Sequence, residues 1–140
     1  MIALKVGEVF LYRGTNSELD YFRNDTHIHI VVNIDEHRRD AYLVPLSTSP
    51  VFWDKACEIG ANDGCPFVTK RCYVAYVHAK KVPLGGTMRD WDSGEMPAAL
   101  LARVIAGVPT SVHTPQWFRD AIFPVRKMTI HRDGRPSSRY

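Results

Sequence analysis

The amino-acid sequence predicts a mainly β protein with a C-terminal helix: about five short strands in a small, strongly curved sheet or barrel, with the helical part packed over one side. Short runs rich in β-branched and aromatic residues, separated by turn residues, fill the first eighty or so positions. Helical periodicity sets in only after that, over residues 93–105. No long amphipathic helix interrupts the strand-like runs, as it would in a parallel α/β fold.

Each element has its own justification. Residues 8–12, EVFLY, form a first strand. The next stretch, GTNSELDYFRNDT, is polar and turn-rich but carries Tyr21 and Phe22 beside Arg23. Two readings stand for this aromatic pair: it pins the loop to the core, or it stacks on unpaired bases with Arg23 supplying charge. Residues 27–33 and 41–46 then read as two apolar strands joined by the charged connector IDEHRRD. A long connection follows, punctuated by Pro50, Gly60, Asn62, Asp63, Gly64 and Pro66, with one short strand near residues 56–59. Residues 72–77 alternate with the period of a strand, and Lys70 and Arg71 precede it as a solvated positive start or a phosphate contact.

The period then changes. Ser93 is a candidate helix cap, and Met96, Leu100, Leu101, Val104 and Ile105 make an apolar stripe that Gly107 and Pro109 should end. Thr114 and Pro115 open a second short helix with Trp117, Phe118, Ala121 and Ile122 on its apolar side, and Pro124 stops it. This layout makes residues 1–123 one domain and residues 124–140 a basic, loosely held extension.

Bulk properties bound the function only coarsely. A chain of 140 residues supports one sizeable core. The net charge of +3 suits a nucleic-acid partner without requiring one, because the tail VRKMTIHRDGRPSSRY holds five Arg or Lys against one Asp and leaves the body near neutral. No apolar run is long enough to span a membrane, and the start MIALKVGEVF lacks the regions of a signal peptide, so a cytoplasmic protein is expected. Cys57, Cys65 and Cys72 match neither a disulfide framework nor paired zinc-ligand spacing, and no metal or other cofactor is expected.

The chemistry concentrates in residues 26–49, THIHIVVNIDEHRRDAYLVPLSTS. His27 and His29 are two apart and share a face of an extended strand. If the two strands pair as a hairpin, the start of the first lies beside the end of the second, where Ser47 and Thr48 follow Pro45. Metal-independent RNA cleavage needs a base for the 2′-hydroxyl proton, donors for the phosphorane oxygens and an acid for the leaving oxygen. The two histidines suit the proton transfers, the hydroxyls can donate, and Arg23, Lys70 or Arg71 could hold the backbone. The competing readings are a partner-facing or buried histidine, and hydroxyls that close the strand through backbone bonds. No glycine-rich phosphate loop, zinc hydrolase signature or nucleophile elbow is present.

The order GEVFLYRG, HIHIVVN, YLVPLST resembles the MazF/PemK growth inhibitor family of toxin–antitoxin modules, which is similar in fold to the CcdB gyrase poisons. Gly7, Glu8 and Val9 match the family's first motif, and Pro45, Leu46, Ser47 and Thr48 its third. His27 and Ile28 stand where the family has an Arg-Pro whose arginine is catalytic, which is a departure from the pattern. CPFVTKRCYVAYVHAKKV looks like H-P-F-I…S-Y-V-x-Y-x-x-A of a divergent PemK-like branch, with Cys65 and Cys72 replacing the histidine and the serine. The resemblance spans about residues 6–82 and implies a small SH3-like barrel, a homodimer, an antitoxin partner and metal-independent cleavage of single-stranded RNA. Trp117 and Phe118 are the expected dimer contact. The alternatives are a non-catalytic barrel that binds a protein or a nucleic acid, and a toxin acting on another target such as gyrase.

Overall fold

The computed structural model describes residues 4–12, 27–48, 54–65, 68–84, 91–124, 128–130 and 136–138. Strands β1 (Glu8–Tyr12), β2 (His27–Asp35) and β3 (Asp40–Ser47) form an antiparallel meander. The two runs of the hairpin extend further toward each other than their apolar patterning suggests, the first by two residues and the second by one, because Asp35 and Asp40 still pair. Only residues 36–39 remain to turn the chain. Arg39 closes that turn in the left-handed region with φ 60°, and Arg38 N–H donates to Asp35 Oδ1 at 3.1 Å.

β3 uses both edges. One carries β2, and the other carries β6 (Lys80–Pro83) along its first half and β5 (Cys72–Val74) at its end. β4 (Glu58–Ile59) continues outward from β5, and β7 (Trp91–Glu95) flanks β1. The sheet order is therefore β4-β5-β3-β2-β1-β7, with β6 branching from β3. Register shifts at Val31/Asn33 and Val9/Phe10 curl it. β4 and β7 are not joined among the described residues, which form a curled, open half-barrel; they do not show the closed SH3-like barrel expected from the resemblance.

Residues 72–77, expected as a continuous strand, are strand only to Val74 and pass into a 3₁₀ turn over Tyr76–His78. Side-chain placement explains the break. The turn drives Tyr76 into the core, fully buried, where its hydroxyl donates to the Val104 carbonyl at 2.5 Å. β6 then resumes the same edge of β3.

Two apolar clusters lie on opposite faces of the sheet. Ile30, Val32, Tyr42, Val44 and Leu46 face the helices, and Phe10, Val31, Ala41 and Leu43 face the other way with Leu4, Val82 and Leu84. A sheet covered on both faces explains why β3 is buried from Ala41 through Ser47.

The helices are α1 (Ala98–Thr110) and α2 (Gln116–Ile122). Ser93 does not cap α1. It lies in β7, which supplies the second partner that β1 needs, and α1 starts behind Pro97, whose carbonyl accepts from Leu100 and Leu101. Nor do Gly107 and Pro109 end the helix. Proline at 109 removes only the donor to Ile105, within the last turn, and Thr110 Oγ1 donates to the Ala106 carbonyl at 3.0 Å. Gly107 has a packing reason: a Cβ there would run into Tyr76 Oη and lie 2.7 Å from its Cζ. The extension after Pro124 carries a small ladder of β8 (Met128–Ile130) with β9 (Pro136–Ser138).

Candidate nucleic-acid interface

The register gathers most of the sequence-derived residues at one end of the sheet. His27 pairs with Tyr12 at the start of β2, and His29 pairs with Phe10 on one side and Pro45 on the other. Two residues beyond Pro45, Ser47 closes β3 opposite Tyr73 of β5. Lys70 and Arg71 lead directly into β5. The start of β2, the end of β3 and the start of β5 therefore share one end, because both adjacent pairings are antiparallel.

Access separates these residues. His29 points to the face shared with Val31 and is 1% exposed, and Ser47 is 4% exposed. A proton acceptor sealed in this way does not meet the 2′-hydroxyl of an RNA strand held at the surface. Thr48, Lys70 and Arg71 are exposed. Arg71 Nε lies 3.5 Å from Glu58 Oε1, an ion pair between largely solvent-accessible side chains that positions the guanidinium more than it stabilises the fold. The His27 side chain and residues Tyr21, Phe22 and Arg23 lie outside what the structure describes.

The expected dimer contact divides. Phe118 is fully buried in the core against Tyr42, with ring centroids 6.1 Å apart, so its ring is not available to a partner. Trp117 is 47% exposed, braced edge-on by Phe118 at 5.5 Å and tilted toward Tyr42 at 6.5 Å.

The cysteines are all buried and reduced. Burial pushes the Cys72 thiol up to about 12, with Cys65 and Cys57 adding to it, and burial likewise raises Cys57. Such thiols are poor nucleophiles. Among the described residues no three His, Cys, Asp or Glu side chains group as a metal site, and no helix is long and apolar enough to cross a membrane.

Sequence patterning missed two arrangements. Ser111 Oγ donates to the buried Asp54 carboxylate at 2.5 Å and accepts from His113 N–H at 3.0 Å, tying the end of α1 to the segment before β4. The partners are far apart in sequence, so no local spacing marks them. The second arrangement is a groove at the other end of the hairpin, between residues 33–38 and α2. An exposed aromatic on a short helix was its only signal. Comparison of the whole chain with protein-family models and with curated proteins finds no match.

Proposed function

We propose that this protein is a non-catalytic binding domain, a divergent relative of the MazF/PemK-like fold, which holds single-stranded RNA by its phosphates without cutting it. The observation that supports this reading is the separation of roles at the sheet end: the hydroxyl of Thr48 and the charges of Lys70 and Arg71 are accessible, whereas His29 at the same end is buried. A phosphate chain needs surface cations and hydroxyl donors to be held. It needs an accessible base to be cut, and the burial of His29 argues against that role for it.

Purified full-length protein, incubated with a long unstructured RNA in EDTA, separates binding from cleavage. Retention of intact RNA is expected, with affinity falling as salt rises. Lys70→Ala and Arg71→Ala should each weaken binding and reduce the slope of log affinity against log salt by about 0.7. Specific cuts that disappear in His27→Ala would replace this reading with the ribonuclease one. Salt-independent or absent RNA binding would remove nucleic acid as the partner.

A further inference from the structure

At the turn end of the β2–β3 hairpin, remote from Thr48 and Lys70, lies an open groove of about 580 Å³ between the hairpin and α2. Its apolar wall is Trp117, nearly half exposed, over the buried ring of Tyr42. Contacts with Tyr42 and Phe118 hold the indole in place from one side, so the platform exists before any ligand arrives. Asn33 Nδ2 reaches the Ala121 carbonyl at 3.5 Å and joins the two walls.

The charge around this platform is unlike that at the other end. Asp35, Glu36 and Asp120 line the groove, against Arg38 and Lys81. Arg38 is spread over Asp35 at 3.9 Å, an exposed and weak pair, and Asp120 accepts only an amide donor from Gln116 at 2.8 Å. Tyr42 reports the same sign of field. Its hydroxyl is pushed up first by burial, then by Asp35 and Asp40, and Arg38 offsets this only in part.

We propose that this groove docks a cationic segment of a partner protein, with an arginine side chain lying over Trp117 and its guanidinium directed to Asp120 and Glu36. An indole face attracts a cation through its quadrupole, and the long stem of arginine covers apolar surface while its planar head meets carboxylates in pairs. A phosphate chain is disfavoured here, because the carboxylates outnumber the cations. The hairpin thus has two ends of different chemistry, cations and a hydroxyl at one, carboxylates around an indole at the other. This assignment stands whether or not RNA binds at the first end.

The test is fluorescence anisotropy with the full chain and a fluorescein-labelled hexapeptide of alternating arginine and glycine, beside the same peptide with citrulline for arginine, which keeps the shape and removes the charge. Saturable binding of the arginine peptide alone is expected. Trp117→Leu should weaken it by about tenfold or more, and Asp120→Asn by several-fold, since aromatic anchors and their paired charges carry most of such interfaces. Asp120 is exposed, so its variant keeps the fold even if Trp117→Leu does not. Arg103→Ala, away from the groove, should change nothing. Equal binding of the citrulline peptide, or unchanged affinity in both groove variants, overturns the proposal. So does a Trp117-dependent dimer in sedimentation that the arginine peptide fails to dissociate, which would make the occupant a second copy. Absence of peptide binding to the full chain, as when its own basic tail fills the groove, overturns it too.

Discussion

Replacing Gly107 by alanine probes the contact on which the fold of residues 72–83 depends. In a helix interior this change ordinarily stabilises by about 1 kcal/mol, because glycine has more backbone freedom to lose. Here the added methyl would run into Tyr76 Oη and stand 2.7 Å from Cζ and 3.1 Å from Cε2. The ring is fully buried and cannot swing aside as an exposed side chain would. Forcing it to shift carries an overpacking cost of roughly 1–3 kcal/mol. Breaking its bond to the Val104 carbonyl removes about 1 kcal/mol more, which offsets the gain in helix propensity. The expected net loss is therefore roughly 1–3 kcal/mol, a fall in Tm of roughly 3–10 °C for a domain of this size. Tyr76→Phe alone should cost only about 0.5–1.5 kcal/mol, since Val104 keeps its helical donor. In the double variant the hydroxyl is gone but Cζ remains in the way, so the two changes should be non-additive with only partial relief. Thermal melts by circular dichroism read all four corners of this cycle. A Gly107→Ala protein as stable as the parent would refute the placement of Tyr76 against α1, and with it the explanation of the broken strand.

Other consequences can be measured directly. Cys72 and Tyr76 are protonated and buried in the folded chain, and their unfolded counterparts titrate near 9.0 and 10.0. Above about pH 9 the unfolded state binds fewer protons, so stability should fall by up to about 1.4 kcal/mol per pH unit for each group until the folded values are reached. Denaturant midpoints between pH 8 and 11 check this, and a flat profile would count against the burial. Because all three thiols are buried, they should react with Ellman's reagent at pH 8 only as fast as the protein opens, and rapidly in guanidinium; fast native labelling would contradict that burial. Ser111→Ala leaves the buried Asp54 with only the Ala56 N–H, and should cost about 1–3 kcal/mol in urea unfolding. Arg103, exposed and paired with Asp63 at 3.4 Å, should cost no more than about 1 kcal/mol on replacement by alanine, with the difference shrinking in salt.

The sequence by itself determined the elements whose period is unambiguous. The β2–β3 hairpin, the strand class of the first eighty residues and the stripe on α1 follow from which positions are apolar, since a period of two or of 3.6 is a local property of the chain. With that hairpin it also places the start of β2 beside the end of β3, because the pairing is antiparallel, whereas the arrival of β5 at the same end is seen only in the structure. Tertiary structure alone decided the rest. Ser93 belongs to a strand and not to a helix cap because β1 had an open edge to fill, a fact about a strand more than eighty residues earlier. Tyr76 leaves the strand period because α1 offers it a glycine and a carbonyl. His29 is buried because the sheet is covered on both faces, and one strand's alternation cannot reveal whether its second face is covered. The groove at Trp117 joins α2 to a turn more than seventy residues away, and a chain read one segment at a time has no means of bringing those two together.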